Sequence, residues 1–173
     1  MTLIDSIHPG TLEKITAVIE IPKGSRIKYE IDKVHGLIRI DRVLSSPMHY
    51  PANYGFIPQT LCDDGDPLDI LVLGQAEAIP LSLMDARPVG VLKMIDQGEM
   101  DDKIIAIHCD DPQWKHITSL KEIVPQILHE IETFFADYKK LEKKAVVING
   151  ILDTAEAQAV ITDALALYLK SKT

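Results

Sequence analysis

Asp63-Asp64-Gly65-Asp66-Pro67-Leu68-Asp69-Ile70-Leu71-Val72-Leu73 sets four carboxylates within seven residues directly against an apolar run. Gly65 permits a backbone turn that a β-carbon would obstruct, and Pro67 fixes φ and stiffens the approach to the apolar run. Asp69–Leu73 reads as a buried strand. Two unit charges about 5 Å apart repel by roughly 3 kcal/mol at an effective dielectric near 20. Several carboxylates held on a fixed turn therefore call for a cation, or for raised pKa values. Oxygen ligands without a convergent His/Cys set favour a hard ion, Mg²⁺, Mn²⁺ or Ca²⁺, over zinc. The same residues also make an ordinary Asp-Gly turn, and on these residues alone both readings stand. An EF-hand is excluded: counted from Asp64, the required Gly is Asp69 and the closing Glu is Gln75.

The 173 residues suffice for one domain, 1–173, with a sizeable core, and 46% apolar and 25% charged residues are ordinary for a globular chain. A net charge of −8 argues against a non-specific nucleic-acid binder, which needs a basic face to displace counterions. No apolar segment is long enough to span a bilayer, and Met1–Gly10 has no secretory apolar region. Cys62 and Cys109 form no CxxC pair, which fits reduced thiols in a cytoplasmic protein. The six histidines show no ligand spacing, and there is no GxSxG, Walker A or GxGxxG sequence.

Upstream of the acidic turn, residues 1–14 read as an irregular arm. Ala17–Ile21, Ile27–Ile31 and Leu37–Val43 read as a three-stranded antiparallel meander, with Lys28 and Glu30 sharing one face. Charged residues so placed are ordinary cross-strand partners unless something gathers them. Ser46–Pro58, with three Pro and two Tyr, reads as a rigid loop that either lids the core or presents a tyrosyl OH to an oxyanion. Downstream, Ala86–Ile95 is a strand with a bend or bulge at Pro88 and Gly90. It runs into a second acidic turn, Asp96–Lys103, and a strand over Lys103–Cys109. A helix is expected from Pro125 to about Leu141, a strand over Ala145–Ile148 stopped at Asn149-Gly150, and a helix capped by Asp153 with Glu156 at N3, reaching Leu169. The plan is α+β and mainly β: five to seven strands in a closed or half-closed barrel, with two helices outside.

Asp64-Gly65-Asp66-Pro67-Leu68-Asp69-Ile70-Leu71-Val72 resembles the signature of the soluble family I inorganic pyrophosphatases, bacterial type. Val18–Pro22, Lys28-Tyr29-Glu30, Asp41-Arg42, Tyr50–Gly55, Arg87–Leu92, Asp96, Asp101-Asp102-Lys103 and Phe134-Phe135 through Tyr138-Lys139 match in order and spacing. The resemblance implies an OB-like five-stranded closed barrel with flanking helices. It also implies cytoplasmic location, a homohexamer, and hydrolysis of pyrophosphate to two orthophosphates by a metal-activated water attacking in line. It implies several Mg²⁺ per site, with Mn²⁺ or Zn²⁺ as substitutes, held by Asp64, Asp69, Asp96 and Asp101. Asp66 resembles the proton acceptor. Lys28, Arg42, Tyr54, Lys103, Tyr138 and Lys139 resemble the groups that hold the phosphates, with Glu20, Glu30 and Tyr50 behind them. Two positions depart from the pattern: Gln97 stands where Glu is usual, which should touch Mg²⁺ affinity before chemistry, and Lys144 is taken for the family's further lysine after a one-residue shortening. A nucleic-acid-binding barrel is the competing class, but 5% aromatic residues and an acidic balance argue against it. A catalytically dead relative is the third, opposed by retention of the whole charged set.

Overall fold

A ring of five strands is the frame of the computed structural model, which describes residues 6–32 and 34–173. β1 (Gly10–Thr11) and β2 (Lys14–Ile21) form a hairpin, followed by β3 (Ile27–Asp32), β4 (Leu37–Val43), β5 (Asn53–Phe56) and β6 (Asp69–Leu73). Then come β7 (Leu83–Asp96), β8 (Glu99–Met100), β9 (Lys103–His108), α1 (Pro125–Asp137), β10 (Val146–Leu152) and α2 (Thr154–Ser171). β2 pairs with β5, β5 with β6, β6 with β9, β9 with β7, and β7 returns to β2, which closes the barrel. Only β6–β9 is parallel within the ring.

Alternate residues of these strands serve two cores, so both faces are apolar and the strands read as continuous hydrophobic runs. Leu71, Leu73, Ile105 and Ile107 belong to a cluster that includes Ile131, Phe134 and Phe135 of α1. Ile70, Val72, Ile104 and Ala106 belong to a second, with Ala157, Ile161 and Ala164 of α2. Asp153 caps α2 as expected, its Oδ1 accepting from the N–H groups of Ala155 and Glu156 at 3.0 and 3.3 Å. The bulge expected in β7 falls between Pro88 and Gly90.

The structure corrects several local readings. The three-stranded meander is two strands: β3 pairs only with β4, while β2 joins the ring. The turn after β2 does not fold straight back, because Gly24 N–H donates to the Tyr50 carbonyl and Tyr50 N–H to that of Ser25. The Pro-rich loop contains a ring strand, β5, and a Cβ at Gly55 would lie 1.8 Å from the Val18 carbonyl oxygen, so only glycine lets β2 approach. α1 ends at Asp137, not near Leu141, since left-handed Lys143 closes a short 3-10 turn over Lys140–Glu142. β10 runs on through Asn149-Gly150 as a bulge, with Gly150 at φ +95°. Residues 10–11 of the arm form β1, and residues 1–5 lie outside the described residues.

Candidate active site

Strand parity places the acidic turn and its partners on the α1 side of the barrel. Asp69 sits two residues before Leu71 and Lys103 two before Ile105, and the parallel register sets Asp69 beside Lys103. The Lys103 side chain is only 3% exposed. Its ammonium donates to Asp69 Oδ2 and to Asp101 Oδ1, and the Tyr54 hydroxyl donates to the same Asp69 oxygen. The rings of Tyr54 and Phe135 lie 5.8 and 5.9 Å from Lys103 Nζ and exclude water from it. Burial works against the charge on Lys103, yet Asp69 and Asp101 outweigh it and hold its pKa above the usual lysine value. Burial raises the Asp101 carboxyl above its ordinary value and Tyr54 well above the usual phenol value.

The β3–β4 hairpin brings the second set of charges. Lys28 and Arg42 are register partners. Asp41 lies between them, 3.1 Å from Lys28 Nζ and 2.8 Å from Arg42 Nη1. Burial tends to raise the Asp41 carboxyl, but both cations together bring it below its ordinary value. Glu30 Oε2 is 3.8 Å from Lys28 Nζ. On the far side Arg42 Nε is 3.4 Å from Glu142, which Lys144 also approaches at 3.4 Å.

The acidic turn is pinned by backbone bonds: Cys62 N–H donates to the Asp66 carbonyl at 2.8 Å and Gly65 N–H to that of Cys62 at 3.0 Å. Gly65 adopts φ +86°, the reason for glycine there. Asp64 Oδ1 accepts from Asp66 N–H at 3.0 Å. Burial pushes the Cys62 thiol up to about 12, so it stays protonated.

One cavity of about 780 Å³ collects these groups. Asp64, Asp66, Asp69 and Asp101 line it together with Lys28, Arg42, Lys103 and Lys139. Glu20, Glu30 and the three tyrosines Tyr50, Tyr54 and Tyr138 line it as well, so that of the predicted set only Asp96 is outside the lining. Asp96 lies behind the wall, paired with Lys139, and its Oδ1 is buried with no hydrogen-bond partner among the described residues. Among the described residues, no three carboxylate, His or Cys groups stand together as a ready ligand cluster, because Lys103 and Lys139 separate the aspartates. Gln97 is an exposed, left-handed turn residue off the cavity wall, and Lys144 turns to Glu142 rather than into the cavity. Sequence reasoning assigns no role to Asp41, Asp32 or Arg39, although Asp32 and Arg39 line the cavity and Asp41 links its two hairpin cations. The signal available for Asp41 is its place beside Arg42 in the Asp41-Arg42 pair that matches the family pattern.

Glu20 carries a testable electrostatic consequence. Its Oε1 accepts from Ile31 N–H at 2.8 Å, and burial pushes its carboxyl up to about 7. A carboxyl raised in the folded state contributes stability below its unfolded pKa near 4.5 and loses it as pH rises through 7. Glu20→Gln keeps an oxygen for Ile31. In EDTA it should match the parent near pH 5 and exceed it near pH 8.5 by up to about 3 kcal/mol. Urea denaturation at the two pH values checks this, and a stability difference that does not change with pH would contradict it.

A sequence profile described as inorganic pyrophosphatase matches residues 17–169. The soluble inorganic pyrophosphatase 2 of Chlamydomonas reinhardtii is 51% identical over 164 residues, covering 94% of this chain and 85% of that protein. The chain belongs to the soluble family I inorganic pyrophosphatases. The Thermus thermophilus pyrophosphatase structure superposes with a TM-score of 0.92 at 37% identity, over 96% of this chain and 99% of that one. That of Helicobacter pylori gives 0.90 at 38% identity, over 95% and 99%. The OB-like barrel with its two helices is thus the pyrophosphatase fold, and hydrolysis of inorganic pyrophosphate is the activity that family membership supports.

Proposed function

We propose that the cavity hydrolyses pyrophosphate to two orthophosphates with Mg²⁺ on its acidic wall, Mn²⁺ or Zn²⁺ serving as substitutes. Asp64, Asp69, Asp96 and Asp101 would hold the ions. The fit rests on the all-oxygen donor set, on Asp69 and Asp101 converging on a single cation in Lys103, and on the orphaned buried oxygen of Asp96. Bound there, the ions offset phosphate charge and make a water a competent nucleophile near neutral pH.

The side chains supply positioning and charge, the two things phosphoryl transfer asks of a protein. Lys28, Arg42, Lys103 and Lys139 meet the phosphate oxygens as charge-assisted donors. Tyr54 and Tyr138, raised by burial, stay protonated and donate hydrogen bonds to the oxyanions. Asp66, on an exposed turn at the cavity edge, accepts the proton of the water that attacks one phosphorus in line, and can return it to solvent. Glu20, Glu30 and Tyr50 orient this network from behind.

The observation that carries the reading is the meeting of opposite charges in one cavity: a lysine clasped by two aspartates shares its lining with Lys28 and Arg42, which Asp41 links. Phosphate release from pyrophosphate should cease in EDTA and return with Mg²⁺. Turnover indifferent to chelation would overturn the cation's part. We place the protein in the cytoplasm as a one-domain homohexamer, on the resemblance and on exposed apolar side chains such as Ile79, Leu83 and Val147, with light scattering as the measure of assembly.

A further inference from the structure

The hairpin that carries Asp96 and Asp101 has a second charged feature on its other face. β7, β8 and β9 keep one register around the Gln97-Gly98 turn: Leu92 lies opposite Lys103, Ile95 opposite Met100, and Asp96 opposite Glu99. That register sets Lys93 across from Asp102. Strand alternation then divides the charges, with Asp96, Asp101 and Lys103 on the cavity side and Lys93 and Asp102 on the reverse. Lys93 Nζ is 2.5 Å from Asp102 Oδ2, with the side chains 20% and 10% exposed. Among the described residues, Asp102 Oδ1 is buried without a hydrogen-bond partner.

Stability alone is a poor reason for this pair. Buried ion pairs are often matched or bettered by apolar residues of similar volume, and a half-satisfied carboxylate adds a desolvation cost. Its position supplies a better one. The hairpin tip, Gln97–Met100, is exposed, and β8 is only two residues long. Besides the β8 pairing, Asp101 N–H to the Met94 carbonyl and Gln97 N–H to that of Ala145 tie it down. Asp102 is flanked in sequence by Asp101 and Lys103, so whatever fixes Asp102 fixes both.

We infer that Lys93 and Asp102 are positioning residues for the cation site, pinning the two hairpin legs so that Asp96 and Asp101 are presented together. The inference rests on the proposed metal-dependent hydrolysis. It is tested with Lys93→Met, Asp102→Leu and the double variant, by thermal unfolding in EDTA and by Mn²⁺ binding to the substrate-free protein followed by electron paramagnetic resonance. Each single variant should unfold at lower temperature, since it strands a buried charge or leaves its partner unmatched. The double variant should regain most of that stability yet bind Mn²⁺ about tenfold more weakly, the loss typical when groups supporting metal ligands are removed. It should also need about tenfold more Mg²⁺ for half-maximal turnover, with kcat at saturating Mg²⁺ within about twofold of the parent. Removing the exposed Lys14–Asp85 pair, 2.7 Å apart on β2 and β7, should leave Mn²⁺ binding unchanged. A double variant that binds Mn²⁺ like the parent, or that fails to fold, overturns the inference and leaves the proposed reaction intact. A parent protein that binds no Mn²⁺ overturns both.

Discussion

Asp66→Asn is expected to cut turnover of pyrophosphate at saturating Mg²⁺ by at least about 100-fold, the loss that accompanies removal of a general base. Asn has nearly the same size and can keep the backbone bonds that shape the turn. Asp66 N–H donates to Asp64, and the Asp66 carbonyl accepts from Cys62, neither of which involves the Asp66 side chain. The variant should therefore keep the turn and fold, with an unchanged requirement for Mg²⁺. What it lacks is a carboxylate basic enough to take a proton as the water attacks. Turnover within a few-fold of the parent would remove Asp66 from proton transfer. A fall in Mg²⁺ affinity instead of kcat would make it a cation ligand.

The sequence made the acidic turn, the bulge at Pro88–Gly90 and the Asp153 cap readable because each depends on local chemistry: glycine at positive φ, proline without an N–H, a carboxylate over helix donors. It hid what depends on distant pairing. Nothing local in Asn53–Phe56 separates a ring strand from a rigid loop, because its reason for being a strand is β2, some thirty residues earlier. The departure of β3–β4 from the ring is likewise set by Tyr50 pairing with Gly24 and Ser25. The resemblance names the candidate site residues, and all of them but Asp96 line one cavity. What no motif conveyed is the ion pairing in and behind the cavity wall: Asp69 and Asp101 on Lys103, Asp96 on Lys139, Asp41 between Lys28 and Arg42. Those pairs hold the cations and the aspartates of the candidate site in register with one another, so on the proposed reading the binding of metal and of substrate would each rearrange contacts the other depends on.

Lys103→Met tests that coupling most directly. Lys103 is buried, raised in pKa by Asp69 and Asp101 against the pull of burial, and flanked by two aromatic rings. Methionine fills much the same volume but leaves the two aspartates facing each other without a counter-charge. Losing one partner of a buried charge pair costs about 3–5 kcal/mol, and that is the destabilisation expected in EDTA by urea denaturation at pH 8. Mg²⁺ should restore part of it, because a divalent ion held by these aspartates would replace the missing positive charge. The variant's stability should therefore respond more steeply to Mg²⁺ than the parent's. Turnover should still fall by about 100-fold or more even when Mg²⁺ saturates, since a fixed donor to the phosphate oxygens is gone. Equal stability in EDTA would show that the aspartates do not need the lysine. Full turnover with Mg²⁺ would show that metal alone carries the charge, and would confine Lys103 to holding the apo site together.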